Sequence, residues 1–132
     1  MKYSLGIDLH KRSSVWVLLD KDKRELSHQK LSASREDVPF AVAQLGVPAS
    51  EVTAVVEPVC GWRWYAEALE ASGLTVKIAN PSKIRLIADS RAKTDRNDAR
   101  TLADLLRADF LPESYRAPKD VASLRALVRE RA

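Results

Sequence analysis

Tyr3-Ser4-Leu5-Gly6-Ile7-Asp8-Leu9-His10 alternates. Tyr3, Leu5, Ile7 and Leu9 fall on one side, and Ser4, Gly6, Asp8 and His10 on the other, the period of a β-strand. An acid stands near its end. Lys11-Arg12-Ser13 forms a short basic turn. Ser14 to Asp20 then reads as a second strand, apolar on both faces and so internal to a sheet. Lys21-Asp22-Lys23 is a polar hairpin turn, and Glu25 to Ala33 is a third, more polar strand suited to an edge.

Beyond the hairpins the pattern changes. Ser34 is an N-cap candidate with Glu36 and Asp37 after it, predicting a helix to about Leu45 with Pro39 near its start. Val52-Thr53-Ala54-Val55-Val56 predicts a buried strand that finishes on Glu57 and stops at Pro58. Gly61 to Ser72 predicts a helix carrying Trp62, Trp64 and Tyr65, with Gly73 at its C-terminal end. Leu74 to Ala79 is a fifth strand. Asn80-Pro81-Ser82 opens a helix through Ile84, Ile87 and Ala88. The order strand-strand-strand-helix-strand-helix-strand-helix-helix gives an α/β fold, a mixed five-stranded sheet with helices on both faces. This is the ribonuclease H-like (RuvC-like) arrangement.

The last of these helices is Ala92 to Arg107. At about 100° per residue, Asp95, Ala99, Leu102 and Leu106 share a stripe, flanked by Asp98 and Leu105. Arg96, Asn97, Arg100, Asp104 and Arg107 take the opposite face. Two carboxylates on an apolar face are costly unless they are paired or hold a cation. In a ribonuclease H-like sheet the first and fourth strands are neighbours, which brings Asp8 beside Glu57, and the late helix adds Asp95 and Asp98. Four carboxylates at one point repel one another unless cations neutralise them. Oxygen-only ligands suit Mg²⁺ or Mn²⁺, and a pair of such ions supports phosphodiester chemistry. Taken singly, each acid also has an ordinary reading as a turn residue, strand terminator or helix-start acid.

Composition bounds the rest. The chain has 132 residues, 45% hydrophobic and 30% charged, with a net charge of +4. That is one core's worth of chain with a basic excess compatible with a polyanion. The lone Cys60 allows no internal disulfide and no Cys-pair metal site, which points to a cytoplasmic setting. No stretch is suited to spanning a membrane, and the first apolar run, holding Asp8, is no signal peptide. Lys11, Arg12, Lys83, Arg85, Arg91, Lys93 and Arg96 are candidate phosphate contacts around the acidic site. Trp62, Trp64 and Tyr65 either pack or stack on bases. His10 is either a ligand and proton shuttle or a structural histidine.

Gly6-Ile7-Asp8-Leu9-His10-Lys11, Val56-Glu57-Pro58 with Gly61, Ala79-Asn80-Pro81 and Lys93-Thr94-Asp95-Arg96-Asn97-Asp98-Ala99-Arg100 with Leu102-Ala103 agree in residue and spacing with one family. The chain resembles the N-terminal domain of the DEDD transposases of bacterial insertion sequences, RuvC-like recombinases related to the Piv DNA invertases. The resemblance implies that Asp8, Glu57, Asp95 and Asp98 are a catalytic, metal-binding tetrad. It implies DNA as substrate, in some members a guide (bridge) RNA, and homo-oligomers formed through a helical region. It also implies a serine nucleophile in a separate C-terminal domain. On this reading residues 1–110 are the catalytic domain, and 111–132 are a linker and the start of the helical region. The expectation is therefore half of a composite recombinase site. Where the family has a Thr-Gly pair after the acidic strand, this chain has Val59-Cys60-Gly61, which keeps the glycine and lacks the hydroxyl. A stand-alone RuvC-like nuclease and a non-catalytic nucleic-acid-binding module are the alternatives. Cleavage of branched DNA by the isolated chain marks the first, and binding indifferent to the tetrad marks the second.

Overall fold

A computed structural model describes residues 2–59, 61–80 and 98–114. Five strands form one sheet: β1 (Tyr3–Leu9), β2 (Ser13–Leu19), β3 (Glu25–Ser32), β4 (Val52–Val56) and β5 (Thr75–Ile78), in the order β3-β2-β1-β4-β5. β2 is antiparallel to β1 and to β3, while β4 runs parallel to β1 and β5 parallel to β4. The carboxyl ends of β1, β3, β4 and β5 therefore share one end of the sheet with the start of β2. The mixed sheet and its strand neighbours are as the sequence pattern predicts.

Burial explains the order. All five residues of β4 are buried, as a Val/Thr/Ala run between two covered faces should be. The middle strand is β1, with Ser4, Leu5, Gly6 and Ile7 all buried. β3 alternates between exposed and half-buried positions and lies at the edge.

Helices α1 (Asp37–Ala43) and α2 (Trp62–Ala71) cover one face, over Leu5, Ile7, Trp16, Leu18, Ala54 and Val56. On that face Tyr65 Oη lies 2.8 Å from the Trp16 Nε1 donor and 2.7 Å from Ser14 Oγ, all three side chains being buried. Each polar atom thus has a partner in an otherwise apolar core. Burial raises the Tyr65 pKa, opposed by its bonds to Ser14 and Trp16.

Helix α3 (Asp98–Arg107) covers the other face. Its Ala99 and Ala103 pack on Val17 and Leu19, and its Leu102 and Leu106 pack on Val55 and Ala79. The crossing point is Gly6. A Cβ there would lie 1.8 Å from the Ala99 carbonyl oxygen and 2.7 Å from the Ala103 nitrogen. Only a glycine beneath two alanines lets helix and strand backbones come this close.

One local expectation shifts. Ser34 does not cap α1: its hydroxyl bonds Glu36 Oε2 at 2.8 Å, and the helix starts later, after Glu36. Its carbonyl instead accepts from the Asp37 N–H, so 34–37 is a turn before the helix. The Leu111-Pro112-Glu113 segment lies along the end of β5. Ser114 N donates to the Ile78 carbonyl at 2.8 Å, and Asn80 N donates to that of Pro112 at 2.7 Å. The helix expected at 82–88, residues 92–97 of the next and residues 115–132 lie outside the described residues. No helix among the described residues is long and apolar enough to cross a membrane.

Candidate active site

Strand register places Asp8 and Glu57 at the ends of adjacent strands. Ile7 pairs with Val56 across the parallel β1–β4 ladder, so Asp8 and Glu57 are the next residues on adjacent strands. Alternation puts Asp8 on the side of Gly6, which faces α3, and Glu57 on the side of Val55, which packs against α3. Both acids thus belong to the α3 face, at the carboxyl end of the sheet. Asp8 keeps 18% of its side chain exposed, and its Oδ2 lies 2.9 Å from His10 Nε2. That bond fixes one carboxylate oxygen. Glu57 is half-buried and precedes a tight turn in which Val59 N donates to the Glu57 carbonyl at 2.8 Å.

Helix α3 runs against the direction of β1. Arg107 at its far end donates to the Lys21 carbonyl in the β2–β3 turn, beside the amino end of β1. Asp98, one residue before the Ala99 that meets Gly6, is therefore at the end of α3 nearest the carboxyl end of β1. Asp95 lies outside the described residues, as do Lys83, Arg85, Arg91, Lys93 and Arg96.

Among the described residues no group of three or more metal-ligating side chains is gathered. The donor chemistry of Asp8 and Glu57 nonetheless fits a hard divalent cation, since both offer only carboxylate oxygens.

Lys11 and Arg12 are exposed in the β1–β2 turn, which His10 N closes by donating to the Ser13 carbonyl at 2.8 Å. They stand at the same end of the sheet as Asp8 and Glu57. The described arginines on the outer face of α3 are paired with acids. Arg100 pairs with Glu25 at 3.1 Å, and Arg107 with Asp104 at 2.9 Å. Asp104 is further bound by Lys23 at 3.1 Å. Glu25 of edge strand β3 and Lys23 of the β2–β3 turn are partners that helix periodicity does not reveal, whereas Arg107–Asp104 is an i,i+3 pair within α3.

Two cations at the site end were not among the candidates. Arg63 lies over the Trp62 ring, 4.7 Å from its centroid, and Arg35 over that of Trp64 at 5.7 Å. The signal for the first was the Trp-Arg-Trp run itself. Arg35 sits in a separate loop with no pattern linking it to Trp64.

The family model described as Transposase, DEDD_Tnp_IS110, matches residues 5–132. No curated protein matches the chain. Among solved structures, RuvC of T. thermophilus in complex with Holliday junction substrate is similar at 14% identity and a TM-score of 0.57, covering 86% of this chain and all of that one. This likeness bears on the fold, which is RuvC-like. The motif spacing, the sheet order and the family match agree, and the chain belongs to the DEDD_Tnp_IS110 family of transposases.

Proposed function

We propose that Asp8, Glu57, Asp95 and Asp98 are the metal-binding catalytic set of this transposase domain, and that it cleaves and transfers DNA strands with Mg²⁺ or Mn²⁺. The observation that carries the reading is the β1–β4 register, which makes Asp8 and Glu57 neighbours on the face that α3 covers. Divalent ions held by such acids would activate an attacking oxygen and stabilise a leaving one. His10 orients the Asp8 carboxylate through its 2.9 Å contact. Lys11 and Arg12, with Lys83, Arg85, Arg91, Lys93 and Arg96, contact the phosphates of the DNA. The Holliday junction of the similar RuvC structure supports DNA as the substrate class.

Family resemblance extends the reading. Residues 1–110 form the catalytic unit, and 111–132 lead toward a helical region and a serine-bearing C-terminal domain. A guide RNA pairs with donor and target DNA, and the assembly is a homo-oligomer working in the cytoplasm.

The test is substitution in the transposase that carries this domain. Asp8→Ala, Glu57→Ala, Asp95→Ala and Asp98→Ala should each reduce DNA strand transfer by at least about a hundredfold while retaining the wild-type circular dichroism spectrum. Mn²⁺ affinity, read by calorimetry, should fall in the same variants. Wild-type strand transfer by the Asp8→Ala or Asp95→Ala protein overturns the assignment.

A further inference from the structure

Glu57 is followed directly by an open groove of about 570 Å³, lined by Pro58, Val59, Gly61, Trp62, Arg63, Trp64 and the carboxylate-bearing Glu67. It is built around the start of α2, at the carboxyl end of the sheet that holds Asp8 and Glu57. The chain has three tryptophans. Trp16 is fully buried, whereas Trp62 and Trp64 remain half-buried.

The second of these indoles is held in place. Gly61 has φ +85°, and a Cβ on it would lie 2.9 Å from Trp64 Nε1, so the turn leaves room for that ring. Trp64 also meets the buried Tyr65 ring edge-on, 5.3 Å between centroids at 63°. Arg35 lies over Trp64 and Arg63 over Trp62. Neither arginine has a carboxylate partner among the described residues, and the exposed Lys11 and Arg12 stand at the same end of the sheet. Trp62 and Trp64 pack in part against the core and stay half-exposed toward the groove. Each indole thus carries a guanidinium group that has no carboxylate partner among the described residues, a combination that matches stacked bases joined by phosphates.

We propose that this groove binds single-stranded DNA, with unpaired bases stacking at Trp62 and Trp64 and the backbone phosphates meeting Arg63 and Arg35. The inference rests on the reading of the adjoining acids as a strand-transfer site: the groove would hold the unpaired flank of the strand being processed. Duplex DNA hides its base faces within its own stack and does not fit the aromatic part of the groove. Stacking on aromatic side chains tolerates any base, so the groove orders a strand without selecting its sequence.

Tryptophan emission tests it directly, because Trp16 is fully buried whereas Trp62 and Trp64 are half-exposed. Titrating the whole chain with a short oligothymidylate should quench emission. A duplex of the same length and inorganic polyphosphate should leave it unchanged. Trp62→Leu should weaken oligothymidylate binding about tenfold, as expected for one lost stack. Arg63→Gln, which leaves the apolar packing alone, should weaken it and reduce its salt dependence. Asp8→Ala should retain the quenching. Loss of strand transfer in that same variant keeps the catalytic reading, whereas retained strand transfer with retained quenching removes that reading and leaves the groove. The proposal is overturned by absence of quenching, by equal quenching with duplex or polyphosphate, by unchanged affinity in both Trp62→Leu and Arg63→Gln, or by an oligouridylate binding tenfold more tightly than the oligothymidylate.

Discussion

Gly6 sets the distance between the strand that carries Asp8 and the helix that carries Asp98. A methyl group at this position would collide with the backbone of α3, 1.8 Å from the Ala99 carbonyl oxygen. The colliding atoms are main chain, so no rotamer change relieves the contact and the helix must move. Gly6→Ala should cost roughly 1–3 kcal/mol or more in stability. It should also lower Mn²⁺ affinity at least about tenfold, the equivalent of ~1.4 kcal/mol, if Asp98 is a ligand. A comparably destabilised control separates the two effects. Leu69→Ala empties the core on the opposite face, where Leu69 is fully buried, at a cost of about 2–5 kcal/mol. Calorimetry should find its Mn²⁺ affinity unchanged; wild-type affinity in Gly6→Ala, or equal losses in both proteins, would refute the positioning role. The sequence shows Asp8 as a strand-end acid and Gly6 as its neighbour but one. The close crossing needs Ala99 and Ala103, nearly a hundred residues later, to lie over that glycine, and periodicity within one segment holds no such information.

Helix α3 is anchored at one end by packing on Gly6 and at the other by charge. Asp104 receives two bonds from Arg107, at 3.0 and 2.9 Å, and an ion pair from Lys23 in the β2–β3 turn. Burial pushes the Asp104 pKa up, but the bonds from Arg107 and Lys23 outweigh it and hold the group below the ordinary aspartate value. A carboxylate depressed in the folded state contributes stability above its unfolded pKa and loses it as pH falls through the folded one. The stability difference between wild type and Asp104→Asn should therefore be largest near neutral pH. It should shrink as the pH drops below the normal aspartate value of 3.8. Urea midpoints measured across that range check this, and a difference that stays constant with pH would show that the ion pairs contribute nothing. At this scale the strands were legible because alternation and apolar runs report burial directly, as in β1 and the wholly buried β4. The start of α1 was not. Ser34 has the chemistry of a cap, yet its hydroxyl is taken by Glu36, a competition that residue preference alone does not decide.

Across the whole molecule, charge is sorted by location more than by amount. The net charge of +4 is small, and several cations are neutralised where they stand. Lys2 pairs with Glu51, Lys23 and Arg107 with Asp104, and Arg100 with Glu25, all on α3 or toward the amino end of β1. Lys11 and Arg12, beside the candidate acids, have no such partner among the described residues. A phosphate backbone arriving at the carboxyl end of the sheet can therefore meet these two without first displacing a carboxylate. Arg100 and Arg107 would each have to leave an acid. Each cation that neutralises a phosphate of duplex DNA steepens the fall of log K with log salt by about 0.9. Lys11→Ala and Arg12→Ala should each flatten that slope by about this amount, measured by fluorescence anisotropy with a labelled duplex over a range of salt concentrations. Arg100→Ala and Arg107→Ala should leave the slope unchanged, although Arg107→Ala also loosens the end of α3. A slope that responds to Arg100 as strongly as to Lys11 would move the DNA path onto the outer face of α3. An unchanged slope in Lys11→Ala and Arg12→Ala would remove the β1–β2 turn from that path.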